Sequence, residues 1–247
     1  MDGHAGITTL GTAHPTIRDN YFTGWGSPSF SLRWGITVYK ESYPLIESND
    51  FVGEGGVDCT DHSHPTIDGN TFSCVGGTGI CARSESNPTI VNNTLTGNRD
   101  YGIHIAENST PMIQNNVIID NPTGISIVCA GSMDPNPDIG SGGRSHGGNT
   151  FNNLDWDLEN RCGNEIMARD NRWSSSPCLD LIDEDDIYDD DENAYSGAVD
   201  FLFFGTYCRT RAPPRWTPWR PLYPFIGVIV IASLLVVAYF VRRRKRV

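Results

Sequence analysis

The feature that most constrains this chain is a repeat. The pattern Pro-x-Ile-x-x-Asn-x-apolar occurs five times, beginning at Pro15, Pro44, Pro65, Pro88 and Pro111, with intervals of 29, 21, 23 and 23 residues. A second pattern keeps the same beat: Gly6-Ile7, Gly35-Ile36, Gly56-Val57, Gly79-Ile80, Gly102-Ile103 and Gly124-Ile125. Leucine-rich repeats have a similar period but need recurrent Leu, and helical repeats need about 33 residues or more. Each unit here holds short period-2 segments separated by Gly, Pro, Asn and Ser, which reads as strands joined by tight turns. Three such strands per unit make one coil of a parallel β-helix, with coils about 4.8 Å apart. The sequence therefore predicts an all-β fold, a single-stranded parallel β-helix of ~22-residue coils.

Stacking explains the residue choice. Ile17, Ile46, Ile67, Ile90 and Ile113 would form one internal ladder. Phe22, Phe51, Phe72, Leu95 and Ile118 would form a second, and Val38, Cys59, Ala82, Ile105 and Ile127 a third. Asn20, Asn49, Asn70, Asn93 and Asn116 would sit at a turn, in the left-handed conformation that Asn tolerates. A column of like amides offers each donor an acceptor, so these residues are expected to be structural.

The units resemble the right-handed parallel β-helix repeats of the pectin-lyase-like superfamily, in particular NosD-type and DUF1565-type repeats, over roughly residues 5–205. Pro137-Asp-Ile139-Gly140 with the loop to Phe151 is similar to a terminal coil of that family, and Ile166 to Trp173 with Gly197 to Phe201 is similar to its end segment. The resemblance implies fold more than activity, since such scaffolds carry lyases, hydrolases and plain binding proteins.

Composition narrows the partners. The chain has 247 residues and a net charge of −12, with Lys only at 40 and 245. Few Lys and abundant Gly and Pro exclude a helical bundle. The negative surface excludes nucleic-acid binding. Leu222–Val241 is an uncharged run of 20 residues, long enough for one hydrocarbon core, which predicts a C-terminal transmembrane helix. Trp216, Trp219 and Tyr223 would lie in the aromatic belt, and the following Arg-Arg-Arg-Lys-Arg places the tail in the cytoplasm and the N-terminal region outside. Met1–Asp19 has no signal-peptide character, so the expectation is a chain whose true N-terminus lies upstream. The expected layout is 1–176 β-helix, 177–206 acidic closing segment, 207–221 linker, 222–241 membrane helix and 242–247 tail.

Catalytic signatures are missing. The Gly-His-Gly and Arg-Ile-Lys of polygalacturonase-like hydrolases do not occur. Asp19, Glu47, Asp68 and Asp120 fall near repeat turns, where a carboxylate pair for glycoside cleavage would have to form. Arg18, Arg83 and Arg99 are candidate lyase bases by type alone. Asp58, Asp61, His62 and His64 are the densest set of metal-ligand types, and the resemblance to NosD-type proteins implies metal handling as one reading. Asp180–Glu192 holds nine acidic residues in thirteen without EF-hand spacing, so it reads as a solvated closing segment and no cofactor is expected, with loose Ca²⁺ binding as the alternative. Trp25, Phe30 and Trp34 lie in the long first interval and are candidates for stacking on sugar rings or for covering the rod. Seven cysteines leave at least one thiol unpaired, and Asn92 and Asn108 open glycosylation sequons. The leading expectation is a membrane-anchored cell-surface module that binds polysaccharide or another surface partner without catalysis. A polysaccharide lyase or hydrolase and a metal-handling accessory protein are the alternatives.

Overall fold

The structure is a computed structural model that describes residues 5–23, 34–53, 55–130 and 133–173, together with the short strands Ile187–Tyr188 and Val199–Asp200. Three parallel sheets run along the stack. The first holds Ala5–Thr9, Trp34–Val38, Gly55–Cys59, Ile80–Ala82, Tyr101–Ala106, Thr123–Val128, Trp156–Asn160 and Ile187–Tyr188. The second holds Thr16–Arg18, Leu45–Glu47, Thr66–Asp68, Thr89–Val91, Met112–Gln114, Asp138–Gly140, Ile166–Ala168 and Val199–Asp200. The third holds Tyr21–Thr23, Asp50–Val52, Thr71–Ser73, Thr94–Thr96, Val117–Ile119 and Thr150–Asn152. The chain visits the sheets in that order on every coil, so each strand pairs with its equivalents one coil away.

The three apolar ladders stand in register as their spacing predicts. Ile17 pairs Ile46 and Ile46 pairs Ile67; Phe22 pairs Phe51 and Phe51 pairs Phe72; Val38 pairs Cys59 and Cys59 pairs Ala82. Most of these side chains are fully buried, and burial of each large one contributes roughly 1.5–3 kcal/mol. The phenyl rings of Phe22, Phe51 and Phe72 stack face to face at 4.6 and 4.5 Å. Cys59 is an internal rung, and its burial pushes the thiol well up from its ordinary range.

The Gly of the second pattern has a steric cause. A Cβ on Gly56 would lie 1.8 Å from the Gly79 carbonyl oxygen of the next coil, and one on Gly102 would lie 2.7 Å from that of Gly124. The backbones approach too closely there for any side chain.

The Asn column is structural, but its conformation differs from the expectation. The left-handed residue is the one before each ladder Asn: Asp19, Ser48, Gly69, Asn92 and Asn115 have φ of 57, 55, 63, 56 and 55°. The ladder Asn itself then turns its amide inward. Asn93 donates from Nδ2 to the Ile67 and Val91 carbonyls at 2.8 Å each and to Asn116 Oδ1 at 3.1 Å, while its own Oδ1 accepts from Asn70. The column continues through Asn149 to Asn171. A second amide column, not foreseen, runs Asn98, Asn121, Asn153 and ends on Asp157, an acceptor that takes both the backbone N–H and Nδ2 of Asn153 at 2.9 Å. A disulfide joins Cys129 to Cys162, tying the chain after one first-sheet strand to that after the next.

Candidate binding face

Within the first sheet, the residue between two inward rungs points outward by strand alternation. Register makes these residues one column: Thr8, Thr37, Asp58, Cys81, His104, Ser126 and Glu159. It gathers a carboxylate, a thiol, an imidazole, a hydroxyl and a second carboxylate on adjacent coils. Asp58, Cys81, Ser126 and Glu159 are nevertheless buried. Over the two carboxylates lie arginines from the position two residues past the column, Arg83 and Arg161.

Arg83 covers Asp58, donating from Nε and Nη2 to its two oxygens at 3.0 and 2.9 Å. This fork geometry raises the Arg83 guanidinium further above its ordinary range. Arg161 donates to Glu159 Oε1 at 2.6 Å, and Ser126 donates to Glu159 Oε2 at 3.1 Å. Burial and the neighbouring Asp58 push the Cys81 thiol well up, so it stays protonated at neutral pH. His104 stacks on Tyr101 at 5.2 Å, and burial lowers its pKa. Its Nδ1 is buried without a hydrogen-bond partner.

Other residues singled out from sequence fall elsewhere. Asp61 and His62 occupy a tight turn at φ 54 and 59°, and His62 reaches Asp61 at 3.4 Å and Glu85 at 3.2 Å. His64 stacks at 5.0 Å on Tyr43, which stacks at 4.9 Å on His14. Asp58, Asp61, His62 and His64 therefore do not converge, and among the described residues no group of three or more His, Cys, Asp or Glu side chains comes together in a way that could hold a metal ion. Arg18 lies 3.5 Å from Asp19 and 3.8 Å from Glu47. Asp68 accepts from Asn92 at 2.8 Å, and Asp120 sits in a separate turn at φ 58°. Trp34 is half-buried at the start of a first-sheet strand. Trp25, Phe30 and Leu222–Val241 lie outside the described residues, as does Asp180–Glu192 apart from Ile187 and Tyr188.

The outer column was within reach of the sequence. It is the variable position in Gly-Ile-x-Ile, one residue before each third-ladder rung. The arginines that cover it had no such marker.

Three parallel sheets wound coil upon coil define a parallel β-helix protein. The model of the family described as "Right handed beta helix region" matches residues 5–138, more than half of the chain, and the chain belongs to that family. No curated protein and no solved structure matches the chain.

Proposed function

We propose that this chain is a non-catalytic recognition module of the cell surface, held to the membrane by Leu222–Val241, with an extended polysaccharide as its ligand. One observation carries the reading: the two carboxylates of the outer first sheet are already held by neighbouring side chains. Glycoside cleavage needs two carboxyl groups facing across one bond, one to protonate the leaving oxygen and one to attack or to activate water. Here both oxygens of Asp58 are held by Arg83, and both oxygens of Glu159 by Arg161 and Ser126. Nucleophilic attack by a cysteine needs the thiolate, and burial keeps Cys81 as the thiol. What remains is a long, rigid and regular side to a rod, suited to a repeating ligand.

The test incubates the purified chain with soluble and insoluble polysaccharides, with and without Ca²⁺, and measures both retention and new sugar ends. Retention without new ends is the expected result. New ends would overturn the non-catalytic reading and return attention to the carboxylates at the repeat turns. Retention that requires Ca²⁺ would make the ion a cofactor.

A further inference from the structure

The outer face of the third sheet has a different chemistry from that of the first. Its side chains stand in two columns fixed by register. Thr71, Thr94 and Val117 form one, and Ser73, Thr96 and Ile119 the other. The next coil continues them with Thr150 and Asn152. None of these residues is charged, on a chain whose net charge is −12. The inward residues between them, Phe72, Leu95, Ile118 and Phe151, are fully buried, so the columns face outward, and they are half-buried to exposed. Two coils earlier the first column opens with Tyr21, 65% exposed, and passes through Asp50, an exposed carboxylate, so the uncharged array begins at Thr71.

This face is also held at both ends. Asn70, Asn93 and Asn116 precede its strands, and Asn98, Asn121 and Asn153 follow the last three of them. Two amide columns thus bracket the sheet, and its side-chain array is set before any ligand arrives.

We infer that the third-sheet face binds a neutral, unbranched glycan laid along the stack, rather than the acidic polymer that a carboxylate-bearing ligand would present. This rests on the recognition reading above and names its ligand class and face. Thr offers a methyl group and a hydroxyl on one short side chain, which suits a sugar that presents C–H and O–H groups together. Val117 and Ile119 extend the apolar part. Coils about 4.8 Å apart offer one rung for roughly each sugar of an extended chain. An anionic polymer meets the opposite situation. The chain's net charge repels it, and the guanidiniums of Arg83 and Arg161 on the first sheet are engaged by Asp58 and Glu159.

The experiment uses the full chain in detergent micelles. Its probes are microcrystalline cellulose, xylan and soluble mixed-linkage β-glucan against polygalacturonate and alginate, at low and high salt. Two face variants, Thr94→Lys and Thr96→Glu, are compared with the second-sheet variant Thr89→Lys, and melting temperature reports folding. The expected result is retention by at least one neutral glycan, little changed by salt. Each face variant would weaken it about tenfold with an unchanged melt, and Thr89→Lys would leave it intact. Retention by the acidic polymers alone, or neutral binding that the face variants leave untouched, overturns this inference while the recognition reading stands. Retention by none of the probes overturns both.

Discussion

The two corners that flank the second sheet reach the same sharp bend by opposite means. The corner leading out of it, toward the third sheet, spends one left-handed residue per coil and then locks the turn with a buried amide. The corner leading in from the first sheet spends two in succession: Lys40-Glu41, Asp61-His62, Ser84-Glu85 and Glu107-Asn108 all have φ between 52 and 62°. Left-handed backbone costs roughly 1–2 kcal/mol per non-glycine residue, so the second corner is the more strained. It is offset by hydrogen bonds that the reversed N–H groups make forward to the next coil. Glu41 donates to the Asp61 carbonyl at 3.2 Å, His62 to that of Ser84 at 3.0 Å and Glu85 to that of Glu107 at 2.8 Å. Behind them lies a fully buried serine column of Ser42, Ser63, Ser86 and Ser109. One corner is therefore specified by a side chain and the other by backbone geometry, which leaves its exposed side chains free to vary.

Replacing Asn93 with Leu should break the amide corner hardest. It leaves the Asn70 N–H buried without a partner and removes the amide donors from the Ile67 carbonyl and the Asn116 oxygen, a loss of about 3 kcal/mol measurable by denaturant melting. Ser86→Ala should cost less, about 1 kcal/mol, because each serine makes fewer bonds: Ser86 donates to the Arg83 carbonyl at 2.7 Å and accepts from Ser63. A loss equal to that of Asn93→Leu would mean the two corners are pinned alike.

The strand that enters the strained corner carries His104, whose folded pKa lies below its unfolded value of about 6.5. The unfolded state then binds more protons, so its contribution to stability is complete above that pH and is lost as pH falls through the lower folded value. Stability should therefore decline in mild acid, and His104→Gln should reduce the slope relative to the parent chain. An unchanged slope would remove His104 as the cause.

The smallest expected effect has the opposite sign. His62→Gly relieves one left-handed residue and should stabilise by less than about 1 kcal/mol, since glycine also gains freedom in the unfolded chain. Destabilisation would show that the His62 contacts with Asp61 and Glu85 matter more than the strain.

The contrast between corners also explains what could be read from sequence. The amide column was legible because Asn20, Asn49, Asn70, Asn93 and Asn116 repeat in identity, with Pro and Ile at fixed distances before them. Its left-handed residue was misplaced by one position because Asp, Ser, Gly and Asn all serve there. The second amide column starts three coils later and its last interval is 32 residues, so it presents too few copies to stand out. The paired left-handed turns were not legible at all, since Lys40, Glu41 and Glu85 are poor formers of that conformation and only the closed coil enforces it. That is also why Asp61, His62 and His64 looked like a ligand cluster. His64 is drawn off onto Tyr43 and Asp58 onto Arg83, whereas Cys81 and His104, 23 residues distant, become neighbours in register.

The amide columns have one further consequence. Every ladder Asn from Asn20 to Asn116 offers its Nδ2 group to the amide oxygen of the following rung and takes the same bond from the rung before, wherever there is one. At this corner a coil inside the column thus shows its neighbours the same two amide contacts whichever coil it is. As far as the amide column is concerned the unit is interchangeable: a coil can be duplicated or excised as a block and the column closes with the same bond. Asp157 is the exception, because a carboxylate accepts from below and offers nothing above. The length of that column is thus decided by a single change of side chain from amide to acid, a stop signal written in hydrogen-bond polarity.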